Sequence, residues 1–386
     1  MTPASWEPRN YQFEREEYMQ EEYCHATIVT PEGIFQDTSF CVVDGRFSRI
    51  TPGGARGVDL GGAYVLPGFI DSHIHGFNSF DFENPDCDFS AAAKIMQQNG
   101  VTSFLPTICP APLQDDLVKT YATLDCPAII GVHLEGPFIN PERKGGFAQN
   151  QILPYHQETA RKMISSFKGR VKLMTCAPEM VTLEQLHVLT KALGVRLCAG
   201  HTQADSKTAL AAFNCGFSCI THFYNAMPDH HHRIPSIWDE AMLNDSVMCE
   251  VIADLHHVSQ HSLAILIKCK GPQNVIAVTD SVCTHGEGVI VQDGLIYKGG
   301  VIHGSKSTMY DLFINLVRYL KVSLPEAVSM TSSNIARFLD LPLGNIKEGY
   351  HANFLLMDKH LRLKAVHTGT APTQISSEMK FKYSDM

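Results

Sequence analysis

His73 and His75 stand one residue apart at the end of the stretch Ala63-Tyr-Val-Leu-Pro-Gly-Phe-Ile-Asp-Ser-His-Ile-His-Gly76. In an extended strand, side chains at i and i+2 leave the same face, so both imidazoles can reach one point. Imidazole is a frequent ligand for zinc-like ions. A lone His-x-His at a strand end is more often a pair of surface residues. Here the pattern recurs: further apolar runs end in His133-Leu134-Glu135-Gly136-Pro137, at His201, at His222 and at Asp280. Four of these histidines (His73, His75, His201 and His222), with Glu135 and Asp280, form a set of nitrogen and oxygen ligands without thiolate at five strand ends. Such a set suits zinc or another divalent ion.

The elements that must position these groups are legible as an alternation. Apolar runs at Tyr64–Ser72, Thr102–Thr107, Ala128–Leu134, Val171–Cys176, Arg196–Gly200, Cys219–Thr221, Met248–Ala253 and Val275–Thr279 read as strands. Amphipathic stretches such as Phe89–Asn99, Leu183–Leu193, Asp205–Phe213 and Ser259–Lys268 lie between them, many opened by a Ser, Thr or Asp of the N-cap kind. Eight strands alternating with helices predict an α/β fold, a (β/α)8 barrel of the TIM type whose strand ends converge on one mouth. An open doubly wound sheet would need a glycine-rich turn after its first strand, and Ser72-His-Ile-His75 is not one.

The two ends read as β structure. His25–Val29, Ser39–Val43 and Phe47–Ile50 near the start, with Phe354–Met357 and Leu361–His367 near the finish, are too few apart for two stable sheets. They predict one small β-sandwich domain from residues 1–63 plus 346–386, beside a barrel of residues 64–345. At 386 residues and 44% hydrophobic, the chain can bury a sizeable core. Twelve cysteines without paired spacing predict reduced thiols and a cytoplasmic location, and exclude a Cys-x-x-Cys zinc site. The stretch Glu14 to Glu22 is acidic and polar, unlike a signal peptide, and no apolar run is long enough to span a membrane. A net charge of −9 without a basic face argues against nucleic acid as a partner.

Longer motifs carry a resemblance. Leu66-Pro-Gly-Phe-Ile-Asp-Ser-His-Ile-His-Gly76, Gly131-Val-His-Leu-Glu-Gly-Pro-Phe-Ile-Asn140, Ala199-Gly-His-Thr202, Thr221-His-Phe-Tyr-Asn-Ala-Met-Pro228, His231-His-Arg233, Val278-Thr-Asp280 and Gly304-Ser-Lys-Ser-Thr-Met309 stand in order. With them the chain resembles the amidohydrolase superfamily and, within it, the N-acetylglucosamine-6-phosphate deacetylases. The resemblance implies one divalent metal, zinc by preference, on Glu135, His201 and His222. It implies a second completed by His73 and His75 with Glu135 as bridge. Asp280 is then a ligand and the general base that takes a proton from water and passes it to the leaving amine. Asn225, Ala226, Arg233 and His257 are implied to hold an amino-sugar phosphate, and a homodimer follows by analogy.

Three stretches depart from the family. Its usual Lys-Gly-Ala-His, whose histidine helps polarise the substrate carbonyl, appears as Lys144-Gly-Gly-Phe147. Its Asp-Gly-x-His becomes Asp254-Leu-His-His257, and the segment after Asp280 reads Ser281-Val-Cys-Thr-His-Gly286, followed by a loop that looks short. Deacetylation of N-acetylgalactosamine 6-phosphate, cleavage of another amide, and a barrel kept as a non-catalytic scaffold stand as alternatives. The intact ligand set with Asp280 weighs against the last.

Overall fold

The computed structural model describes residues 20–111, 114–369 and 371–374. Residues 1–19 and 375–386 of the expected small domain lie outside the described residues, as does most of the Glu14–Glu22 stretch.

Eight parallel strands form the barrel: β1 (Phe69–Ile74), β2 (Val101–Ile108), β3 (Val132–Glu135), β4 (Val171–Cys176), β5 (Arg196–Ala199), β6 (Phe217–Ile220), β7 (Met248–Ile252) and β8 (Val275–Val278). Each pairs in parallel with the next. The ring is drawn shut by the Asp280 N–H, which donates to the His73 carbonyl at 2.9 Å, and by a parallel bridge between Ile74 and Ser281.

The expected alternation is therefore present, with one correction. The first run is two strands, not one. Tyr64–Pro67 pairs with Phe354–Met357 and with Thr27 and Ile28 in the terminal sheet, and only from Phe69 does the chain enter the barrel. Gly68 marks the change. Its position leaves no room for a side chain, because a Cβ there would lie 2.2 Å from Thr102 Oγ1.

Several helices between strands are capped as their sequences suggest, although Thr182 makes no such cap at the start of Leu183–Leu193. Asp88 accepts from the Ala91 N–H at 2.9 Å, Asp205 from Thr208 at 2.8 Å and Ser259 from Ser262 at 3.2 Å. Met309–Arg318 follows β8 and opens with a reciprocal Thr308–Asp311 cap. Its buried face carries Leu312, Phe313 and Leu316, and Phe313 meets Phe69 of β1 at 5.4 Å between ring centroids. Inside the barrel, Ile70, Leu105, Leu173, Cys198 and Ile276 fill the centre, and Ile335, Ala336 and Leu343 plug the base. The polar floor of that plug is satisfied: Asn334 donates to the Val275 carbonyl at 2.7 Å and Ser332 to Gly68 at 3.0 Å.

The two chain ends share one sheet. Its strands are Gln20–Thr30, Gly33–Val43, Arg46–Pro52, Val58–Asp59 and Tyr64–Pro67 from the start, and Phe354–Met357, Leu363–Thr368 and Ala371–Gln374 from the finish. Phe40 and Phe354 sit three strands apart, about 14 Å in a flat sheet, yet their ring centroids are 5.3 Å apart. The sheet is curled on itself around Tyr23, Phe40, Phe47 and Phe354.

Candidate metal centre and active site

The residues that close β1, β3, β5, β6 and β8 converge at the mouth. Glu135, the last residue of β3, is at the centre. Its Oε1 lies 3.2 Å from His201 Nε2, 3.0 Å from His222 Nε2 and 3.4 Å from His73 Nε2, and its Oε2 lies 3.1 Å from His75 Nε2. Asp280 Oδ1 is 3.5 Å from both His73 Nε2 and His75 Nε2. All six expected metal residues are therefore brought together in two triads, Glu135–His201–His222 and His73–His75–Asp280, with Glu135 also within 3.4 Å of His73 and 3.1 Å of His75.

Three of them stand on unusual backbone. His201, His222 and Asp280 are each the second residue beyond their strand, and each has a left-handed φ, at 48°, 30° and 46°. Side-chain-bearing residues avoid that region, at a cost of roughly 1–3 kcal/mol each. Hydrogen bonds hold them there. The His201 carbonyl accepts from Asn140 and the His222 carbonyl from Asn225, each at 2.9 Å, and Asp280 is tied on both sides, to His73 and Ser305.

The buried nitrogens fit a cation. His201 Nδ1–H donates to the Arg143 carbonyl at 2.8 Å, which leaves Nε2 with a lone pair facing Glu135. His73 Nδ1–H points at Glu250 Oε2, 3.4 Å away, while its Nε2 is fully buried with no hydrogen-bond partner. Nitrogen and oxygen atoms 3.0 to 3.5 Å apart, aimed at common points, match neighbours around ions bound at about 2.0–2.2 Å. Burial would push the Glu135 and Asp280 carboxyls up, but the His73 charge, with His201 and His222 on Glu135 and His75 on Asp280, holds both below the usual carboxylate range.

Glu250, on β7, is a supporting residue the sequence reading missed. It is wholly buried, accepts from Ser72 Oγ at 3.0 Å and orients His73. A ligating histidine whose other ring nitrogen meets a carboxylate is a recurrent metal-site arrangement. His133 lies behind the site. Its Nδ1–H donates to the Ser72 carbonyl at 3.1 Å and its Nε2 accepts from Thr175 at 2.7 Å. Burial and the nearby His73 push it down to about 4, so it stays neutral.

Above the ligands opens a cavity of about 760 Å³, the size of a small-molecule site. Asn225, Ala226 and His257 line it. Asn225 donates to the His222 carbonyl at 3.2 Å, and Ala226 has a φ of 48°. His257 Nδ1–H donates to Asp254 at 2.7 Å, leaving its buried Nε2 without a partner. Arg233 is not brought to this cavity. It is exposed, with Nη1 2.8 Å from His232 Nε2. The cations on the wall are Arg143 and Lys298, neither singled out from sequence. Arg143 Nη2 donates to Gln203 at 3.3 Å, next to Thr202, whose N–H meets the Ala226 carbonyl, and its buried Nε has no partner. Nor is the segment after Asp280 merely a short loop. Val289–Gln292, Leu295–Lys298 and Val301–Ser305 form an antiparallel sheet that walls the cavity.

Residues 64–381 match the amidohydrolase family. The chain belongs to that family. Among relatives of this amidohydrolase, an N-acetylglucosamine-6-phosphate deacetylase of Lysinibacillus sphaericus is 28% identical over 87% of this chain and 93% of its own length. An N-acetylgalactosamine-6-phosphate deacetylase of Shewanella sp. (strain ANA-3) is 30% identical over 78% of this chain and 81% of its own. In structure, an N-acetyl-D-glucosamine-6-phosphate deacetylase variant of Mycobacterium smegmatis, solved with N-acetyl-D-glucosamine-6-phosphate, superposes on the amidohydrolase with a TM-score of 0.85. It is 25% identical and covers 92% of this chain and 99% of its own.

Proposed function

We propose that this amidohydrolase hydrolyses the N-acetyl amide of N-acetylglucosamine 6-phosphate to glucosamine 6-phosphate and acetate. The observation that carries the reading is the pair of adjacent metal-ligand triads, Glu135–His201–His222 and His73–His75–Asp280, with Asp280 open to a sugar-sized cavity. Similarity to deacetylases over most of the chain supports the same chemistry. Glu135, His201 and His222 would hold one divalent ion, zinc by the chemistry of the donors, and His73, His75 and Asp280 a second. Bound there, such an ion lowers the pKa of water to roughly 7 and polarises a carbonyl.

The chain's own groups do the rest. Asp280 takes the proton of the attacking water and delivers it to the departing amine. His257, fixed by Asp254, presents its free Nε2 to a sugar hydroxyl. Asn225 and the Ala226 backbone receive the phosphate together with Arg143, and Arg233, outside the cavity beside His232, would have to reach in from the neighbouring loop to join them. The barrel, from Gly68 to residue 345, is the catalytic unit.

Acetate release from N-acetylglucosamine and N-acetylgalactosamine, each with and without the 6-phosphate, tests the proposal. N-acetylglucosamine 6-phosphate should be turned over with the highest kcat/KM. Preference for the galactose epimer would reassign the sugar, and no release from any of the four would end the deacetylase reading.

A further inference from the structure

The cavity wall formed by Val301–Ser305 carries a histidine that nothing above employs. This strand is fixed to the barrel where the chemistry gathers. The Ser305 N–H donates to the Asp280 carbonyl at 2.9 Å, and Ser305 Oγ donates to Thr279 at 2.6 Å. Toward its partner strand the register breaks: Gly304 faces Ile296 and Ile302 faces Tyr297, which leaves His303 unpaired. A bulge of this kind re-aims the side chain of the extra residue, and here the imidazole lines the cavity. The charged groups that act on it are His75, Lys298, Asp280 and Glu135, so the ring shares the field of the metal-ligand cluster.

The loop opposite is shaped around this ring. A Cβ on Gly146 would lie 2.4 Å from His303 Nδ1 and 3.1 Å from its Cε1, so the absence of a side chain at 146 is what admits the imidazole. On either side of Gly146 the loop touches a metal-ligating histidine: a Cβ on Gly145 would be 3.3 Å from His201 Cε1, and the Phe147 ring stands 5.0 Å from that of His201. His303 is thus one residue's breadth from the ligand cluster, its Nδ1 edge against the loop and its Nε2 edge turned away from it.

Apart from the cations Arg143 and Lys298, several nitrogen donors near the cavity are already engaged. His257 donates to Asp254, Lys144 to the Phe147 carbonyl and Asn225 to the His222 carbonyl, and His285 lies against the Asn78 carbonyl. Phe147 has no polar hydrogen to offer. The His303 ring makes no hydrogen bond among the described residues. We infer that His303 donates a hydrogen bond to the acyl carbonyl oxygen of the substrate as that oxygen gains negative charge. This rests on the amide-hydrolysis reading above. Partial burial, with His75 and Lys298 acting the same way and Asp280 and Glu135 against, lowers the pKa of His303, which favours a neutral donor.

The test compares wild type, His303→Phe and His303→Gln, all metal-loaded, on N-acetylglucosamine 6-phosphate and its N-trifluoroacetyl analogue. Loss of one donor at a developing oxyanion lowers kcat by about 100-fold or more. His303→Phe should show that loss on the acetyl substrate with KM changed less than about threefold. The loss should shrink by about tenfold on the trifluoroacetyl amide, whose carbonyl needs less help. His303→Gln, which keeps an N–H, should recover a large part. As a readout apart from turnover, His303→Phe should weaken binding of a tetrahedral phosphonamidate analogue by a similar factor, measured by calorimetry. A His303→Phe enzyme with kcat within threefold of wild type, a change confined to KM, or equal losses on both acyl groups would overturn the assignment. A wild type inactive on both substrates would instead remove the deacetylase reading on which it rests.

Discussion

The Nε2 atoms of His201 and His222 face each other across 3.0 Å, with one Glu135 oxygen 3.2 and 3.0 Å from them. The His201 proton is committed to the Arg143 carbonyl through Nδ1. Two imidazole nitrogens and a carboxylate that close, at the bottom of a cavity, are mutually repulsive unless a cation or a shared proton lies among them. Purified protein should therefore carry between one and two equivalents of a divalent transition metal by elemental analysis. His201→Ala and His222→Ala should each lose at least one equivalent. Undiminished metal in both variants would place the ion elsewhere.

Glu250 makes a separate prediction. Its carboxylate is the only acid facing His73 Nδ1 among the described residues. Glu250→Gln removes the charge and keeps the shape, so it should weaken the metal held with His73 by about 10–100-fold, the usual cost of losing such a partner. Titration with a competing chelator reads this directly. The equivalent on Glu135, His201 and His222 should be retained.

Asp280→Asn tests proton transfer. A positioned acid–base group contributes about 10² or more to rate, so kcat should drop by at least that factor. His201 and His222 remain to hold metal, and elemental analysis should find at least one equivalent. Near-normal turnover would transfer the role to His256 or His257.

The two arginines can be separated by substrate. Arg143→Ala and Arg233→Ala should raise KM on the phosphorylated sugar and leave the unphosphorylated one nearly unchanged, because the lost charge-assisted bonds involve only phosphate. Arg143, already on the cavity wall, should show the larger effect. Equal changes on both substrates for either variant would make that residue structural.

Much of this arrangement is legible in the sequence. Parallel strands buried on both faces give near-continuous apolar runs, and a polar residue where such a run stops is conspicuous. That is how His73, Glu135, His201, His222 and Asp280 could be placed at one mouth. Other features were hidden for physical reasons. The break at Gly68 falls inside an unbroken apolar stretch, with only Pro67-Gly68 to announce it. Glu250 sits in the middle of Met-Cys-Glu-Val-Ile, where one acid reads as an outward-facing side chain, yet a barrel strand covered on both faces has no outward face to give it. Arg143 and His303 reach the cavity from loops and a bulged edge, whose position no periodicity encodes. Arg233, read from a motif, stands exposed beside His232 and outside the cavity lining.

The terminal sheet also constrains the order in which the chain can be built. On the side away from Thr27 and Ile28, Tyr64–Pro67 finds its neighbour in Phe354–Met357, with Pro67 opposite Phe354, so roughly 290 residues must leave the ribosome between one strand and that mate. Contacts of such sequence separation form slowly. During that interval the barrel's first strand hangs from a segment with an open edge, the kind of edge that invites pairing with another chain. A strand about 290 residues further along, not a near neighbour, covers that edge.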